Sequence, residues 1–436
     1  MREIEDYKTE IIKRTETIKN SRRSKVRIGL SVLTVLIVAV IAIPLVLTPA
    51  LKTKAATVDL MEGIEPAKGY PRSVTGEVAD AAADFSLRLI GERLGTGENV
   101  VMSPVSAMCT LSMLACGEAG ETLEQTERVL GMKTDDLNEF FFSFFHLRDK
   151  TFSAANSLWI LSGFNVNDVF LQKNADFYRA DAFSAPFDDS TVRDMNAWVR
   201  DKTDGMIPSL IDGFEGGEVL TVLNALSFDA KWRDPYEANF VEEGVFTCAD
   251  GTEQTVEFMS GEETSYITDG SAVGFIKAFE SGCKYEFAAI LPPVGTAPAE
   301  YLSGLDGESL RAMLNGAEAV QVVTSIPKFS VEYGTELSDA LADLGMKDAF
   351  TPGEADFSGL AEGRGDLYLG RVVHKATITV NESGVRAAAG TAAELNKLNG
   401  SWPNPLEVRL DRPFIFLIVE KETRIPIFIG VVNSVE

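Results

Sequence analysis

Residues 381–393 read Asn-Glu-Ser-Gly-Val-Arg-Ala-Ala-Ala-Gly-Thr-Ala-Ala, and a polar run follows to Pro405. Segments with strand character flank them: residues 374–380 alternate, and residues 414–419 form a continuous apolar run. Small-residue segments between strands are ordinarily flexible linkers, but this one has a second property. Counting every other residue, Val385, Ala387, Ala389, Thr391, Ala393 and Leu395 are all apolar or small, whereas the complementary set holds Arg386, Glu394 and Asn396. Successive side chains of a strand point to opposite faces, so the stretch can join a sheet with an uncharged face inward and its charges outward. A fold built on this chain has to accommodate a loop already written as a strand.

The N-terminus carries a different constraint. Residues 28–51 run for 24 positions without a charge, enough for a helix to cross a bilayer, and Arg22, Arg23, Lys25 and Arg27 stand just before them. Positive flanks stay in the cytoplasm, so the sequence predicts a basic cytoplasmic tail (1–27), a transmembrane anchor (28–51) and everything beyond on the extracellular side. The competing reading is a cleaved signal segment, which would make the protein secreted; its basic leader would be unusually long and its apolar core exceeds the usual ~7–15 residues. Residues 52–76, interrupted by Pro66, Gly69 and Pro71, show little periodicity and are expected to be a linker. The folded domain then occupies residues 77–436.

That domain holds the negative charge. The formal net charge is -25, although residues 1–27 contain nine Lys/Arg against five Asp/Glu. An acidic body repels nucleic acid and heparin-like polyanions, so neither is an expected partner. The chain has only two histidines, His146 and His374. A three-imidazole zinc site is therefore excluded, and a Ser/His/Asp triad would need one of two histidines that sit in no catalytic motif. Nothing in the residues implies an enzyme, a metal or a cofactor. The four cysteines lack metal or redox spacing. Cys109 and Cys116 fall on one expected helix, ~10 Å apart along its axis and too far for a bridge. All four read as buried thiols, with Cys248 and Cys283 the one pair that folding could join.

The remaining pattern predicts a helix with Phe85 and Leu89 on one face, ending at Gly95 to Gly97, then a helix after Ser103 and Pro104. Residues 122–130 form another, followed by a Phe-rich helix (Phe140, Phe141, Phe142, Phe144, Phe145), a strand at 151–161 and a helix at 191–203. The run 219–232 looks like a strand buried on both faces. Shorter strand-like pieces occupy 244–258, 272–279 and 285–291; helices at 309–314 and 336–344 flank a strand at 319–329. Strands and helices come in groups without regular alternation, which favours an α+β domain, and the 45% hydrophobic content can fill a large core.

Dispersed residues now gain a common meaning. Asn99, Ser103, Pro104 and Ser106 are followed in order by Asn156, Ser157 and Leu158, by Asn196, Trp198 and Val199, and by Thr203, Gly205 and Ile207. Next come Asn224, Phe228, Lys231 and Trp232; Pro327, Lys328 and Phe329; Leu344, Gly345, Met346 and Phe350; and Asp356, Phe357, Ser358 and Gly359. His374 and Lys375, Glu382 and Gly384, Arg412, Pro413 and Phe414, and finally Pro426, Phe428 and Gly430 complete the series. From residue 77 to its end the chain resembles a serpin. Ser434 departs from the pattern, where many relatives carry proline.

The resemblance implies a fold of three β-sheets and eight to nine helices, with an exposed reactive-centre loop at about 382–406. It implies a monomeric inhibitor that traps a serine or cysteine protease: the protease attacks the loop and forms an acyl-enzyme, and the cleaved loop then inserts into the central sheet. The hinge would be Glu382, Gly384, Val385, Ala387, Ala388 and Ala389. An unpartnered charge at the first inserted position would cost several kcal/mol, on the order of a buried ion's penalty, and Val385 avoids it. Arg386, where inhibitory relatives usually carry an acidic residue, and Gly390, in place of a fourth alanine, both point outward by parity. Trp232, Lys328 and Glu382 match the point where the loop first enters, with an expected Lys328–Glu382 ion pair. Ser103, Ser106, Asn224 and His374 match a polar cluster beneath the opening of the sheet. The attacked residue would be seventeenth counting from Glu382, which is Leu398, followed by Asn399. Leu398 suits a chymotrypsin-like or subtilisin-like protease. The loop is longer than usual, and a shift of one position selects Lys397 and a trypsin-like target, with Leu395 and Asn396 further alternatives. A non-inhibitory carrier or chaperone is the other reading; there the hinge typically loses the small-residue alternation kept here.

Overall fold

The computed structural model describes residues 56–435 except positions 96, 148–150, 204, 206, 215, 217, 362–366, 371 and 386–404. The expected tail and anchor lie outside the described residues, as do Ala387, Ala388, Ala389, Lys397, Leu398 and Asn399. No helix among the described residues is long and apolar enough to cross a membrane.

The chain opens with β1 (Val58–Asp59), α1 (Gly76–Gly91), β2 (Val100–Met102), α2 (Pro104–Ala115), α3 (Gly120–Leu130) and α4 (Thr134–Leu147). Then come β3 (Phe152–Leu161), α5 (Asp168–Tyr178), β4 (Asp181–Ala185), α6 (Asp189–Lys202), β5 (Leu220–Phe228), β6 (Ala230–Lys231), β7 (Val241–Thr247), β8 (Glu253–Glu263), β9 (Tyr266–Thr268), β10 (Val273–Ala278) and β11 (Tyr285–Leu291). The last part holds α7 (Pro298–Ser303), α8 (Gly307–Asn315), β12 (Val322–Pro327), β13 (Phe329–Glu336), α9 (Ser338–Asp343), β14 (Val373–Asn381), β15 (Gly384–Val385), β16 (Leu406–Arg409), β17 (Phe414–Glu420) and β18 (Pro426–Val432).

Local chemistry explains the helices that position the site. Thr75 caps α1 by accepting from the Val78 amide, and Ala79, Ala82, Phe85 and Leu89 bury one face. The helix stops at Gly91, short of the expected Gly95, because Glu92 and Arg93 close it with bonds to Arg88 and Ile90 carbonyls. Ser103 caps α2, Pro104 fills its first position, and all twelve of its residues are buried. A helix apolar on every side belongs inside, and α2 runs through the middle of the domain against β5 and β18. Asp188 and Thr191 form a capping box that starts α6, whose Met195 and Val199 bury Trp159 and Leu223 on the outer face of the central sheet.

The central sheet consists of β1-β4-β3-β5 on one side and β13-β14-β15-β6 on the other. The expected single strand over 219–232 is broken at Asp229, whose amide turns to the Thr151 carbonyl, so β5 and β6 are successive parts of one path and join both groups in one layer. A six-stranded sheet, β2-β18-β17-β11-β10-β9, covers the other side of α2, and β16-β12-β8-β7 forms the third sheet. The segment read as one strand piece over 244–258 is the β7–β8 hairpin. The architecture is α+β, with nine α-helices among the described residues.

Part of the expected linker lies against the domain. Val58 and Asp59 pair with Ser184 and Phe183 of β4, and Ile64 is buried. The Glu65 carbonyl accepts from Gln172, the Ala67 amide donates to Asp176, and Arg72 binds Ser143 and Glu139. A segment without hydrophobic periodicity is held mainly through its backbone, which is why no pattern in its side chains announces it.

The central sheet is incomplete in its middle. β5 pairs with β3, and β14 pairs with β13, but among the described residues β5 and β14 do not pair with each other. Only β15 bridges them, at one end: Gly384 and Val385 sit opposite Asn381 and Val380 of β14 and opposite Lys231 and Ala230 of β6. Below β15 the sheet has a slot.

Candidate functional site

The mouth of the slot is built around a turn. Asn381 Oδ1 accepts from the amides of Ser383 (2.9 Å) and Gly384 (3.2 Å), reversing the chain between β14 and β15. Gly384 is required by contact: a Cβ there would meet the Ala230 carbonyl oxygen and lie 2.8 Å from the Lys231 Cα. Val385 is wholly buried. The first residue to enter the sheet is thus already inside, with an apolar side chain that needs no partner.

Lys328 lies where the chain passes from β12 to β13. Its Nζ is 2.5 Å from Glu382 Oε1 and 3.0 Å from Glu257 Oε2. Burial works against charge on both Lys328 and Glu382, but mutual hydrogen bonding prevails: it holds Glu382 below the usual carboxylate range, and with Glu257 it holds Lys328 above the usual ammonium value. The pair is ionised across the physiological range. Trp232 is buried, stacks on Phe279 with ring centres 4.9 Å apart, and donates its indole N–H to the Asn381 carbonyl at 2.9 Å. Its amide donates to the Ser383 carbonyl (2.9 Å), and the Tyr236 amide donates to the Glu382 carbonyl (3.0 Å). The structure therefore brings Trp232, Lys328, Glu382, Gly384 and Val385 together, and adds Glu257 on β8 and Tyr236 in the turn after β6, which no motif or spacing in the sequence ties to the loop.

Beneath the slot, the first turn of α2 reaches both of its edges. The Ser103 amide donates to His374 Nε2 on β14 at 3.1 Å, while the Ser106 hydroxyl donates to Asn224 Oδ1 on β5. Asn224 donates onward to Asn156 Oδ1, and Asn156 donates to the Tyr178 carbonyl at 2.8 Å. Ser103 Oγ bonds the Ile427 carbonyl at 2.7 Å. Asn156 stands directly across from Asn224 in the β3–β5 ladder, so pairing the two strands on paper would have added it to the cluster. His374 is 5% exposed, and its burial alone pushes its pKa down to about 4. The ring is neutral, as its acceptor role toward Ser103 requires. These bonds tie to one helix two strands that share no ladder bonds among the described residues, and they must yield before a strand can pass between.

His146 is spent locally, its Nδ1 2.7 Å from the Phe142 carbonyl. All four cysteines are buried and outside any disulfide, including Cys248 and Cys283. Burial raises the Cys116 thiol to about 12 and Cys109 well above its ordinary value, which leaves both unreactive.

A large α+β domain whose central sheet is split by a slot, with the stem of a long connecting segment lodged at its mouth, has the serpin architecture. The chain belongs to the serpin family: the family model for serpin (serine protease inhibitor) matches residues 80–435. Members of this family are in general serine protease inhibitors and not enzymes. An uncharacterized serpin-like protein of Thermococcus kodakarensis is 30% identical over 81% of this chain and 84% of its own length. Alpha-1-antitrypsin 1-4 of Mus musculus is 27% identical over 81% of this chain and 88% of its own. Among solved structures, the thermophilic serpin tengpin in its native state matches with a TM-score of 0.82 at 38% identity, covering 87% of this chain and 100% of that one. Tengpin in its latent state matches at 0.73, with 37% identity, over 84% of this chain and 100% of that one.

Proposed function

We propose that this serpin inhibits an extracellular serine protease, or a cysteine protease, by loop cleavage and insertion between β5 and β14. The observation that carries the reading is the slot with Val385 already in register at its mouth. β15 runs antiparallel to both β6 and β14. Continued in the same register, Ala387, Ala389, Thr391 and Ala393 would face Ile378, Ala376, His374 and Val372, every one of them buried. Arg386 and Glu394 would fall in the other phase, with Arg386 beside the outward-facing Thr379. The same register sets Thr391, the one polar residue of the inward face, between His374 and Asn224. Loop and slot are thus matched in phase, and the inserted strand gains a complete set of ladder bonds on both sides.

The attacked bond in this proposal is Leu398–Asn399, with Lys397 as the alternative, and the favoured targets are chymotrypsin-like or subtilisin-like. Residues 28–51 anchor the protein with the domain outside the cell; secretion after cleavage is the alternative. The test is to incubate the full chain, in detergent, with chymotrypsin-like, subtilisin-like and trypsin-like proteases. The expected result is a covalent complex that survives SDS and a released peptide whose mass begins at Asn399. Cleavage in the loop without a complex for any protease would overturn inhibition and leave the carrier reading. That second reading has one observation in its favour. A cavity of about 490 Å³ lies among Phe140, Phe144, Tyr285, Arg311 and Ile425, within the size range of small-molecule sites, and human thyroxine-binding globulin, 25% identical with a TM-score of 0.73, binds thyroxine on this fold.

A further inference from the structure

Three consecutive carbonyls of the loop stem, those of Asn381, Glu382 and Ser383, are caught by one five-residue turn, 232–236, through the Trp232 indole, the Tyr236 amide and the Trp232 amide. The turn is fixed at its start by a backbone bridge, with the Arg233 amide on the Ala278 carbonyl (3.0 Å) and the Glu280 amide on the Lys231 carbonyl (2.9 Å), and further along by a charged side chain behind it. Lys277 on β10 sends its ammonium into the turn and donates to the Asp234 carbonyl at 2.9 Å. The same Nζ lies 4.3 Å from the ring centre of Tyr236, 5.4 Å from that of Trp232 and 2.5 Å from Glu263 Oε1 on β8. Both charged side chains are only 4% exposed. Their strands belong to two different sheets, so the pair crosses from the six-stranded sheet to the β7–β8 sheet directly behind the mouth of the slot.

A buried ion pair is a poor way to gain stability, since the cost of taking two charges out of water rivals their attraction, and apolar replacements of similar size are often neutral or better. Its value is geometric. An ammonium that simultaneously binds a carboxylate and a turn carbonyl and lies over two aromatic faces fixes all four relative to each other. The Lys328–Glu382 pair is half in solvent and screened; the Lys277–Glu263 pair is dry and is not.

We propose that Lys277 and Glu263 form an inner latch: they position turn 232–236 so that it grips the loop stem, and thereby set how readily the mouth opens. The gating part of this rests on the inhibitory reading above; the positioning part does not. The variant Lys277→Met with Glu263→Met removes both charges together and leaves no buried ion unpaired. Hydrogen exchange of the full chain, read by mass spectrometry on a peptide spanning 231–237, is expected to accelerate roughly tenfold, the factor that one charge-assisted hydrogen bond controls. Exchange in β11 and the midpoint of global unfolding should stay at wild-type values. Glu263→Asp, which keeps both charges but draws the ammonium away from the turn, should lie between, and it serves if the double variant fails to fold. Spontaneous loop insertion, measured as the rate at which the uncleaved chain becomes heat-resistant, should rise by a similar factor. Unchanged exchange at 231–237, or a rise shared by the whole domain, overturns the latch; faster exchange with an unchanged insertion rate overturns its gating role. Should the wild type trap no protease, inhibition fails as a reading, and exchange at 231–237 still decides whether the latch exists.

Discussion

Acidification should loosen this domain through His374. Its ring is neutral in the fold, accepts from the Ser103 amide and has a pKa near 4, while in the unfolded chain an imidazole titrates at 6.5. A group whose folded pKa is depressed contributes stability that is complete above its unfolded value and is lost as pH falls through its folded value. Here the window is pH 6.5 to 4. At about 1.4 kcal/mol per pH unit, the loss is about 2 kcal/mol at pH 5 and about 3 kcal/mol at pH 4. The perturbation that isolates it is His374→Gln, which does not titrate. Other groups contribute slopes of their own, and Glu118 gives one of opposite sign, so the quantity to follow is the difference between the two proteins. Urea unfolding at intervals from pH 7.5 to 4 supplies it, with NMR titration of the imidazole as a direct check. The wild type should lose stability relative to His374→Gln by the amounts above, essentially all of it below pH 6.5, and the Ser106–Asn224 side of the cluster should be unaffected above that pH. Curves that stay parallel across the whole range would refute a buried neutral acceptor at His374, and with it the tie between α2 and β14.

Three further outcomes follow from other groups. Glu118 is buried, and burial raises its pKa to about 8, with the nearby Thr126 hydroxyl opposing the shift and the charge of Glu127 adding to it. The wild type therefore loses stability as pH rises from 4.5 through 8, and Glu118→Gln should be more stable by roughly 4 kcal/mol at pH 8, yet indistinguishable at pH 4.5, in urea midpoints. At the mouth, Glu382→Lys and Lys328→Glu should each speed the spontaneous gain of heat resistance several-fold, consistent with ~1 kcal/mol for a half-exposed pair. The double swap should recover only part, because the carboxylate it places at position 328 would face Glu257, and full recovery would remove Glu257 from the site. Gly384→Ala forces β15 off the Ala230 carbonyl and should cost about 1–3 kcal/mol in denaturant midpoint, with faster exchange at the Trp232 amide.

Much of the architecture was legible along the chain. Ser103 and Pro104 announce α2, and the sheet strands show themselves by apolar runs and alternation, because burial imposes the period of the backbone on the residues. α5 gives no such signal. Gln172, Asn174 and Asp176 are buried on it, since two of them hold the backbone of residues 65–67, so its inner face is polar and its helical pattern is masked. The segment they hold looks like a linker for the reciprocal reason. Asp229 breaks a run that reads as one strand, through a bond to Thr151 that no local rule contains.

At the site, the alternation from Val385 onward determined that this loop can enter a sheet, because a two-residue period is a property of the chain alone. Whether a sheet has room for it is a different matter: that β5 and β14 are unpaired among the described residues, with β15 seated at their ends, depends on strand order, which brings together residues far apart along the chain. The resemblance to serpins named Lys328 and Glu382 as partners. Only the fold placed Glu257 on the other side of the same ammonium, and Lys277 and Glu263 behind Trp232, since a charge pair buried between two sheets has no sequence spacing to reveal it.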